Sequence, residues 1–261
     1  MKNRLLGVCS SALLLGCGTI QSAMSTAVGS TMNTAGDTAG RRVGSAIGDS
    51  IGKSIVASYQ PQMMGWYTSY IFSVAFSSGG YAVGGDYEPG DVTKWNYPSG
   101  EGADAQIERA RLQDDDKGNQ WWKVKFHNPK ENETIVLEGL FSPDRGKLLR
   151  LRGKFPKEDA KEIPVTDQTY YVPPTKLTEE SIAGATVGTE KVTVPAGSFD
   201  AKHVVYAYGS GSQEWWLAEG VPGGLVKQTL KGEKKDDKEQ KYTMTLQSHG
   251  KDAASELGSI K

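Results

Sequence analysis

Alternating apolar and polar residues recur from residue 87 to about residue 250 and predict strands. Short runs rich in Val, Ile, Leu, Phe, Tyr and Trp are separated there by turns rich in Gly, Pro, Asp and Asn. Runs of this length and pattern are typical of antiparallel strands joined by hairpins. The predicted strands are Val92–Tyr97, Ala105–Leu112, Gln120–Phe126, Thr134–Phe141, Lys147–Phe155, Glu190–Val194, Ala201–Tyr208, Glu214–Ala218, Gly224–Lys231 and Tyr242–Ser248.

A helix and two connections interrupt these strands. Pro173-Pro174 precedes Lys176–Ala183, which predicts a short helix, and Lys154–Ile163 reads as a charged connector. Strands on both sides of a helix predict a mainly β fold: a curved antiparallel sheet or half-closed barrel wrapped around the helix. The β domain is expected to span residues 87–250, with a C-terminal tail at 251–261.

Residues 59–86 form an apolar and aromatic segment with no charge before Asp86. Within it, Met63–Phe76 alternates at a spacing of two, and its aromatic and β-branched residues favour a strand. A helical face through Met64, Tyr67 and Ile71 also fits. We expect the first core strand of the β domain here; an edge hairpin and a segment lying against a membrane are the alternatives.

Glycines recur every four residues in the segment before it, at Gly36, Gly40, Gly44, Gly48 and Gly52. On a helix such a row forms a groove that lets a second helix approach closely, and the row resembles the glycine zipper of small outer-membrane lipoproteins. Interior glycines each destabilise a helix by about 1 kcal/mol, so this helix needs a partner, either another copy or the chain's own domain. A flexible tether is the alternative.

The N-terminus has the pattern of an export signal. Lys2 and Arg4 precede an uncharged run, Leu5–Gly16, that is too short to span a bilayer. Leu14-Leu15-Gly16-Cys17 resembles the lipobox of bacterial lipoproteins, in which the cysteine is acylated and becomes the first residue. Residues 1–16 are therefore expected to be a signal peptide, and residues 17–58 the lipid anchor with the zipper-like segment.

Composition limits what the processed chain can do. Cys17 would be its single cysteine, which excludes an internal disulfide and a thiolate metal site. Its 28 basic and 31 acidic residues lack the positive excess of a nucleic-acid-binding protein. The resemblance to lipoproteins implies a membrane contact through the lipid, and Gly18, where aspartate would favour inner-membrane retention, implies the outer membrane and a periplasmic domain.

Three segments near the end of the β domain carry a second resemblance. Val194–Lys202, Glu214–Ala218 and Val221–Lys227 resemble the closing strands of uncharacterised envelope β-proteins. Those proteins are similar to the half-closed barrels of the lipoprotein carrier and its outer-membrane acceptor, which hold acyl chains under a helical lid. The resemblance implies the same fold and an apolar ligand, although the long zipper-like segment departs from the carriers.

Candidate binding residues are tryptophans rather than catalytic groups. Trp121 with Trp122 and Trp215 with Trp216 each place one ring on either face of a strand, so that the outward ring offers a ligand or partner surface. His203 is expected to be a hydrogen-bonded strand histidine, and Asp114–Asp116 a solvated hairpin tip. The sequence predicts no catalytic, metal or cofactor site.

Two function classes follow from these patterns. The first is a membrane-anchored, non-enzymatic envelope lipoprotein that acts by self-association, as a homo-oligomer, and by contact with an envelope protein. The second is a binder or carrier of an acyl chain or other apolar ligand in a half-barrel cavity. An enzyme would need ionisable groups that converge in a cleft.

Overall fold

The computed structural model describes residues 72, 81–82, 86–97, 104–129, 132–166, 171, 173, 175–208, 211–231 and 241–260. This part of the chain is mainly β, with one eleven-stranded antiparallel sheet that is not closed, a two-stranded sheet and a short helix. The predicted fold class is confirmed to that extent. The predicted signal peptide and the glycine-rich segment, including Cys17 and the row from Gly36 to Gly52, lie outside the described residues.

The strands follow the predicted segments closely. In chain order they are β1 (Tyr81–Ala82), β2 (Val92–Tyr97), β3 (Ala105–Asp114), β4 (Gln120–Asn128), β5 (Glu133–Phe141), β6 (Leu148–Lys154), β7 (Lys161–Ile163), β8 (Thr175–Lys176), β9 (Thr186–Val194), β10 (Gly197–Tyr208), β11 (Gly211–Leu217), β12 (Leu225–Lys231) and β13 (Lys241–Gly250). The main sheet has the order β7-β6-β5-β4-β3-β2-β13-β12-β11-β10-β9, and β1 pairs in parallel with β8. Two antiparallel meanders, β2–β7 and β9–β13, therefore join where β2 pairs with β13.

One face of β2–β7 carries the main hydrophobic core and is called the core face. On β4 it presents Trp122, Val124 and Phe126, all buried. Val124 lies opposite Leu137 on β5, and Trp122 lies opposite Gly139. A Cβ at Gly139 would stand 2.8 Å from Cε2 of Phe141, so this glycine makes room for the buried ring. Side chains of this size stabilise the fold by roughly 1.5–3 kcal/mol each when buried.

The helix α1 (Glu179–Ala185) lies slightly later than the predicted Lys176–Ala183, because Thr175–Lys176 form β8. Thr178 caps it: its Oγ1 accepts a hydrogen bond of 3.1 Å from the backbone N–H of Ser181. Ser181 also contacts Tyr206 on β10, whose hydroxyl donates to the Ser181 carbonyl oxygen at 2.8 Å. The helix buries no residue completely, so it rests on the core rather than within it.

One connection contains a strand that was not predicted, and two turns contain residues with positive φ. The connector Lys154–Ile163 contains the edge strand β7, which pairs with β6. In the turn after β5, Arg145 rather than Gly146 takes positive φ, at 57°. Between β9 and β10, Gly197 has φ 136°, and the N–H of Ala196 donates to the carbonyl oxygen of Leu246 on β13 at 3.2 Å.

Phe72 is the one residue of Met63–Phe76 that the structure describes. It is helical, and its side chain is fully buried, so the strand predicted over this stretch is wrong at this residue. Its ring meets Phe141 edge to face, with the ring centroids 5.2 Å apart. The apolar segment therefore contributes at least one side chain to the core, by a different backbone conformation. Within the described ranges, no helix combines the length and apolar character needed to cross a bilayer.

Candidate functional site

The opposite face of β3–β6 carries a buried carboxylate, Glu138, whose side chain is 0% exposed. Glu138 lies between Lys123 on β4 and Arg152 on β6, its direct cross-strand neighbours. Arg152 donates from Nη2 to Oε2 of Glu138. A buried carboxylate is costly unless it is paired and its remaining lone pairs are satisfied, so the second oxygen also needs donors.

Residues 251–260 supply those donors and cover this face, which we call the tail face. The Ser255 hydroxyl donates to Oε2 of Glu138 at 2.9 Å, and the backbone N–H of Glu256 donates to Oε1 at 2.8 Å. Arg152 in turn donates from Nη1 to the carbonyl oxygen of Ser259 at 2.9 Å. Residues 251–260 of the predicted C-terminal tail thus pack on the sheet, and the buried Glu138–Arg152 pair is one of their attachments.

Lys123 holds the same segment from the side. Its Nζ lies 2.8 Å from Oε1 of Glu108 and 2.9 Å from Oε1 of Glu256, and it donates to the carbonyl oxygen of Ala254 at 3.0 Å. Burial acts to lower the pKa of Lys123, but the hydrogen bonds with Glu108 and Glu256 outweigh it and leave the pKa raised. Burial likewise acts to raise the pKa of Glu256, and the hydrogen bonds from Lys125 and Lys123 leave it lowered.

A small apolar cluster lies beneath the tail. It consists of Val92, Ala110, Leu112, Trp121 and Leu140, with Ala253 and Ile260 of the tail packed against it. The guanidinium carbons of Arg150 and Arg152 lie 5.3 Å and 4.8 Å from the centroid of the Trp121 ring. The tail and two arginines therefore shield an outward-facing tryptophan from solvent.

Trp216 belongs to the main hydrophobic cluster and is covered by its cross-strand neighbours. His203 on β10 stacks on the ring with a centroid distance of 4.4 Å and an interplanar angle of 14°, and Nζ of Lys227 on β12 lies 4.1 Å from the same centroid. Trp216 opposes Lys227, and Leu217 opposes Leu225, because the register shifts by a bulge between Trp216 and Leu217. The sequence of the β11–β12 hairpin predicts that Trp216 opposes Leu225, and this prediction is wrong.

Two carboxylates complete this stack. Glu190 accepts from the indole N–H of Trp216, and Oε2 of Glu214 lies 3.2 Å from Nε2 of His203. Burial acts to raise the pKa of Glu214, but its hydrogen bond and ion pair with Lys231, together with His203, leave the pKa lowered. His203 is thus a hydrogen-bonded strand histidine, as predicted. No group of His, Cys, Asp or Glu within the described ranges has an arrangement that could hold a metal ion.

A third polar network lies on the core face around Tyr87. The hydroxyl of Tyr87 lies 2.6 Å from Oγ1 of Thr93, which also accepts from the indole N–H of Trp95 at 2.9 Å. Arg109 donates from Nε to the same hydroxyl at 2.8 Å. The ring of Tyr87 packs on Trp122 with centroids 5.2 Å apart. Arginine side chains therefore reach the aromatic part of the core at this end of the sheet.

All four predicted tryptophans are buried, with exposed fractions of 1% for Trp121 and Trp122, 0% for Trp215 and 5% for Trp216. Trp121 and Trp122 belong to different hydrophobic clusters, as the predicted split between the two faces requires, whereas Trp215 and Trp216 belong to the same cluster. The ring of Trp121 is covered by the tail and two arginines, and the ring of Trp216 by His203 and Lys227. A ligand or partner contact through these rings stays a prediction.

The groups that organise the tail face are residues that the sequence pattern does not single out. Lys123, Glu138 and Arg152 stand at polar positions of alternating strands, and such positions ordinarily face water. One feature of the sequence could have indicated them: a Lys, a Glu and an Arg, of alternating charge, lie on three successive predicted strands. The Asp114–Asp116 turn does behave as predicted, since Asp115 accepts bonds within its own turn from the backbone N–H groups of Lys117 and Asn119.

Comparison with models of known protein families gives no match for this chain. Comparison with curated proteins gives none either.

Proposed function

We propose that this protein is a non-enzymatic lipoprotein of the cell envelope, tethered to the outer membrane through Cys17, with its β domain in the periplasm. The observation that carries the proposal is Leu14-Leu15-Gly16-Cys17 at the end of a short apolar run that follows Lys2 and Arg4. A cysteine bearing several acyl chains anchors firmly, since each buried methylene contributes about 0.8 kcal/mol. The domain then works next to a bilayer.

Contact with other proteins is the mode of action that the geometry favours. The buried ionisable groups have structural partners: Glu138 pairs with Arg152, Lys123 with Glu108, and Glu214 with Lys231. These charges stabilise the strands and the tail, which supports a binding module over a catalyst. The glycine row from Gly36 to Gly52 supports self-association, because a helix with such a groove needs a close partner.

Replacing Cys17 with serine should move the protein from the membrane fraction to the soluble fraction of cells. The variant has no thiol at the position where the acyl chains would be attached, so the anchoring energy is lost. Immunoblots of fractionated cells measure the shift. Cys9→Ser, inside the predicted signal peptide, is the matched control and should leave the protein with the membrane. A Cys17→Ser protein that stays membrane-bound contradicts the lipid anchor.

The same cells test self-association. Gly44→Leu with Gly48→Leu should abolish crosslinked multimers, since two leucines fill the groove that a second helix would enter. Gly188→Leu, on β9 where a Cβ meets nothing within 4 Å, is the control and should keep them. Multimers that persist unchanged in the Gly44, Gly48 variant refute the zipper.

Binding of an apolar ligand is the second candidate function. The open eleven-stranded sheet supports it, because a half-closed barrel leaves an apolar face to be covered, and α1 buries no residue completely over that face. Phe72 shows that the core face accepts an apolar group from outside the sheet. Protein purified in mild detergent should then carry a lipid that organic extraction and mass spectrometry identify. Recovery of lipid-free protein from membranes would count against this function.

A further inference from the structure

The tail face holds residues 251–260 by their main chain, although these residues form no strand. Lys123 on β4 donates to the carbonyl oxygen of Ala254 at 3.0 Å, and Arg152 on β6 donates to that of Ser259 at 2.9 Å. Side chains that bond to main-chain groups bind a peptide with little demand on its sequence. The tail residues whose main chain has a partner on the sheet or in the turn before β2 are Ala253, Ala254, Glu256, Ser259 and Ile260.

Two neighbouring side chains of the tail add selectivity. The carboxylate of Glu256 lies between two ammonium groups, 2.9 Å from Nζ of Lys123 and 2.9 Å from Nζ of Lys125. The hydroxyl of Ser255 donates to Oε2 of Glu138 at 2.9 Å. The face is therefore matched to an extended peptide that carries a hydroxyl followed by a carboxylate.

Apolar burial contributes less to holding the tail. Ala253 and Ile260 pack on the cluster around Trp121, but every residue from 251 to 260 keeps part of its surface exposed. Water can replace the polar contacts when a surface segment is released, so their net contribution is modest. A segment with few buried apolar contacts opens at a lower free energy than the strands beneath it.

The binding groups of the face stay in place without the tail, because they pair with one another across the strands. Arg152 donates to Glu138, and Nζ of Lys123 lies 2.8 Å from Oε1 of Glu108. These contacts join residues of β3, β4, β5 and β6. Release of the tail therefore leaves a formed surface that a second segment of the same sequence fits.

We propose that the tail face is a peptide-binding site and that residues 251–260 exchange between two copies of this chain. Each copy then supplies the occupant of the other, and every contact described above forms in both. Exchange of an identical element is a low-cost route to a dimer. The proposal rests neither on the lipid anchor nor on the glycine row. Reciprocal exchange stops at two chains, so crosslinked species larger than dimers still test the row from Gly36 to Gly52.

Carbodiimide coupling tests the exchange in the full chain carrying Cys17→Ser, because the reagent joins an ammonium group to a carboxylate beside it. Chains with nitrogen-14 and chains with nitrogen-15 are refolded together from urea, so that slow release of the tail cannot hide exchange. Lys125–Glu256 products should contain both isotopes, in a share that rises with protein concentration toward about one half. Lys161–Glu158, an ion pair within one connection, is the internal control and should contain one isotope. Lys125–Glu256 products of single isotope at every concentration overturn the proposal.

A labelled peptide of residues 251–260 tests the site itself, by fluorescence polarisation. The chain's own tail competes at a roughly millimolar effective concentration, so the peptide should bind the parent weakly. Glu256→Lys in the chain brings a third ammonium group to Lys123 and Lys125 and leaves the sheet unchanged, so the peptide should bind at least about tenfold more tightly. Asp252→Lys, the same charge change at an exposed acid four residues earlier, is the matched control and should bind like the parent.

Hydrogen exchange guards the second experiment. Residues 251–260 should lose protection in the Glu256 variant and keep it in the Asp252 variant. A Glu256 variant whose tail stays protected, or one whose tail is released without a gain in peptide binding, overturns the proposal.

Discussion

Replacing Glu138 with alanine should lower the free energy of unfolding by about 3–5 kcal/mol, the usual cost of removing one partner from a buried ion pair. The substitution leaves the Arg152 guanidinium buried without its carboxylate and removes the acceptor for the Ser255 hydroxyl and the Glu256 N–H. Urea unfolding followed by tryptophan fluorescence measures the loss. Hydrogen exchange at residues 251–260 should rise in the same variant, because those residues lose their attachment.

The control for this effect lies on the neighbouring strand pair. Glu162 on β7 accepts from Nε of Arg150 at 3.0 Å, but both side chains are about half exposed. Glu162→Ala should therefore cost at most about 1 kcal/mol, as expected for a surface pair. If the Glu138 and Glu162 variants lose the same free energy of unfolding, burial does not strengthen the contacts of Glu138. That result would contradict the role of Glu138 in holding the tail on the sheet.

Replacing Phe72 with alanine should cost about 3–5 kcal/mol, the range for truncating a fully buried phenylalanine. Its side chain has no exposed surface and packs on Phe141, so the substitution leaves a cavity between the apolar segment and the sheet. Urea denaturation gives the free energy. The m-value should stay unchanged if the remaining core keeps its extent.

Leu149→Ala is the comparison for Phe72, since Leu149 is a large apolar residue that is 40% exposed on β6. Its truncation should cost no more than about 1 kcal/mol. A Phe72 variant as stable as the Leu149 variant would mean that the segment around Phe72 does not pack on the domain in solution.

The alternation of apolar and polar residues predicted the strands because each strand carries this pattern within its own few residues. Val124 and Phe126 point to one face wherever β4 lies, and the same holds for the other runs that became strands. The edge strand β7 carries just three residues, two of them charged, so no alternation could mark it. Positive φ at Arg145 could not be predicted either, because the next residue, Gly146, is the type of residue that usually adopts positive φ in a turn.

The tail face could not be predicted, because its contacts join distant parts of the chain. Ser255 and Glu256 lie 117 and 118 residues after Glu138, and no local pattern connects them. Alternation within β4–β6 predicts that their polar residues face solvent, and the tail is what buries them. The same cause explains the outward tryptophans: Trp121 is covered by a segment from the far end of the described chain, and Trp216 by side chains whose lengths a strand pattern does not encode.

The position of the tail along the chain has a consequence for how the protein is made. Residues 251–260 follow all the strands of the sheet, so a growing chain presents the Glu138–Arg152 pair before the tail groups that complete its hydrogen bonds exist. Until the tail is made, water can take the place of those groups, and the tail does not cover Trp121. The part of the sheet around Glu138 and Trp121 can therefore reach its final packing only after the last residues of the described chain have been made.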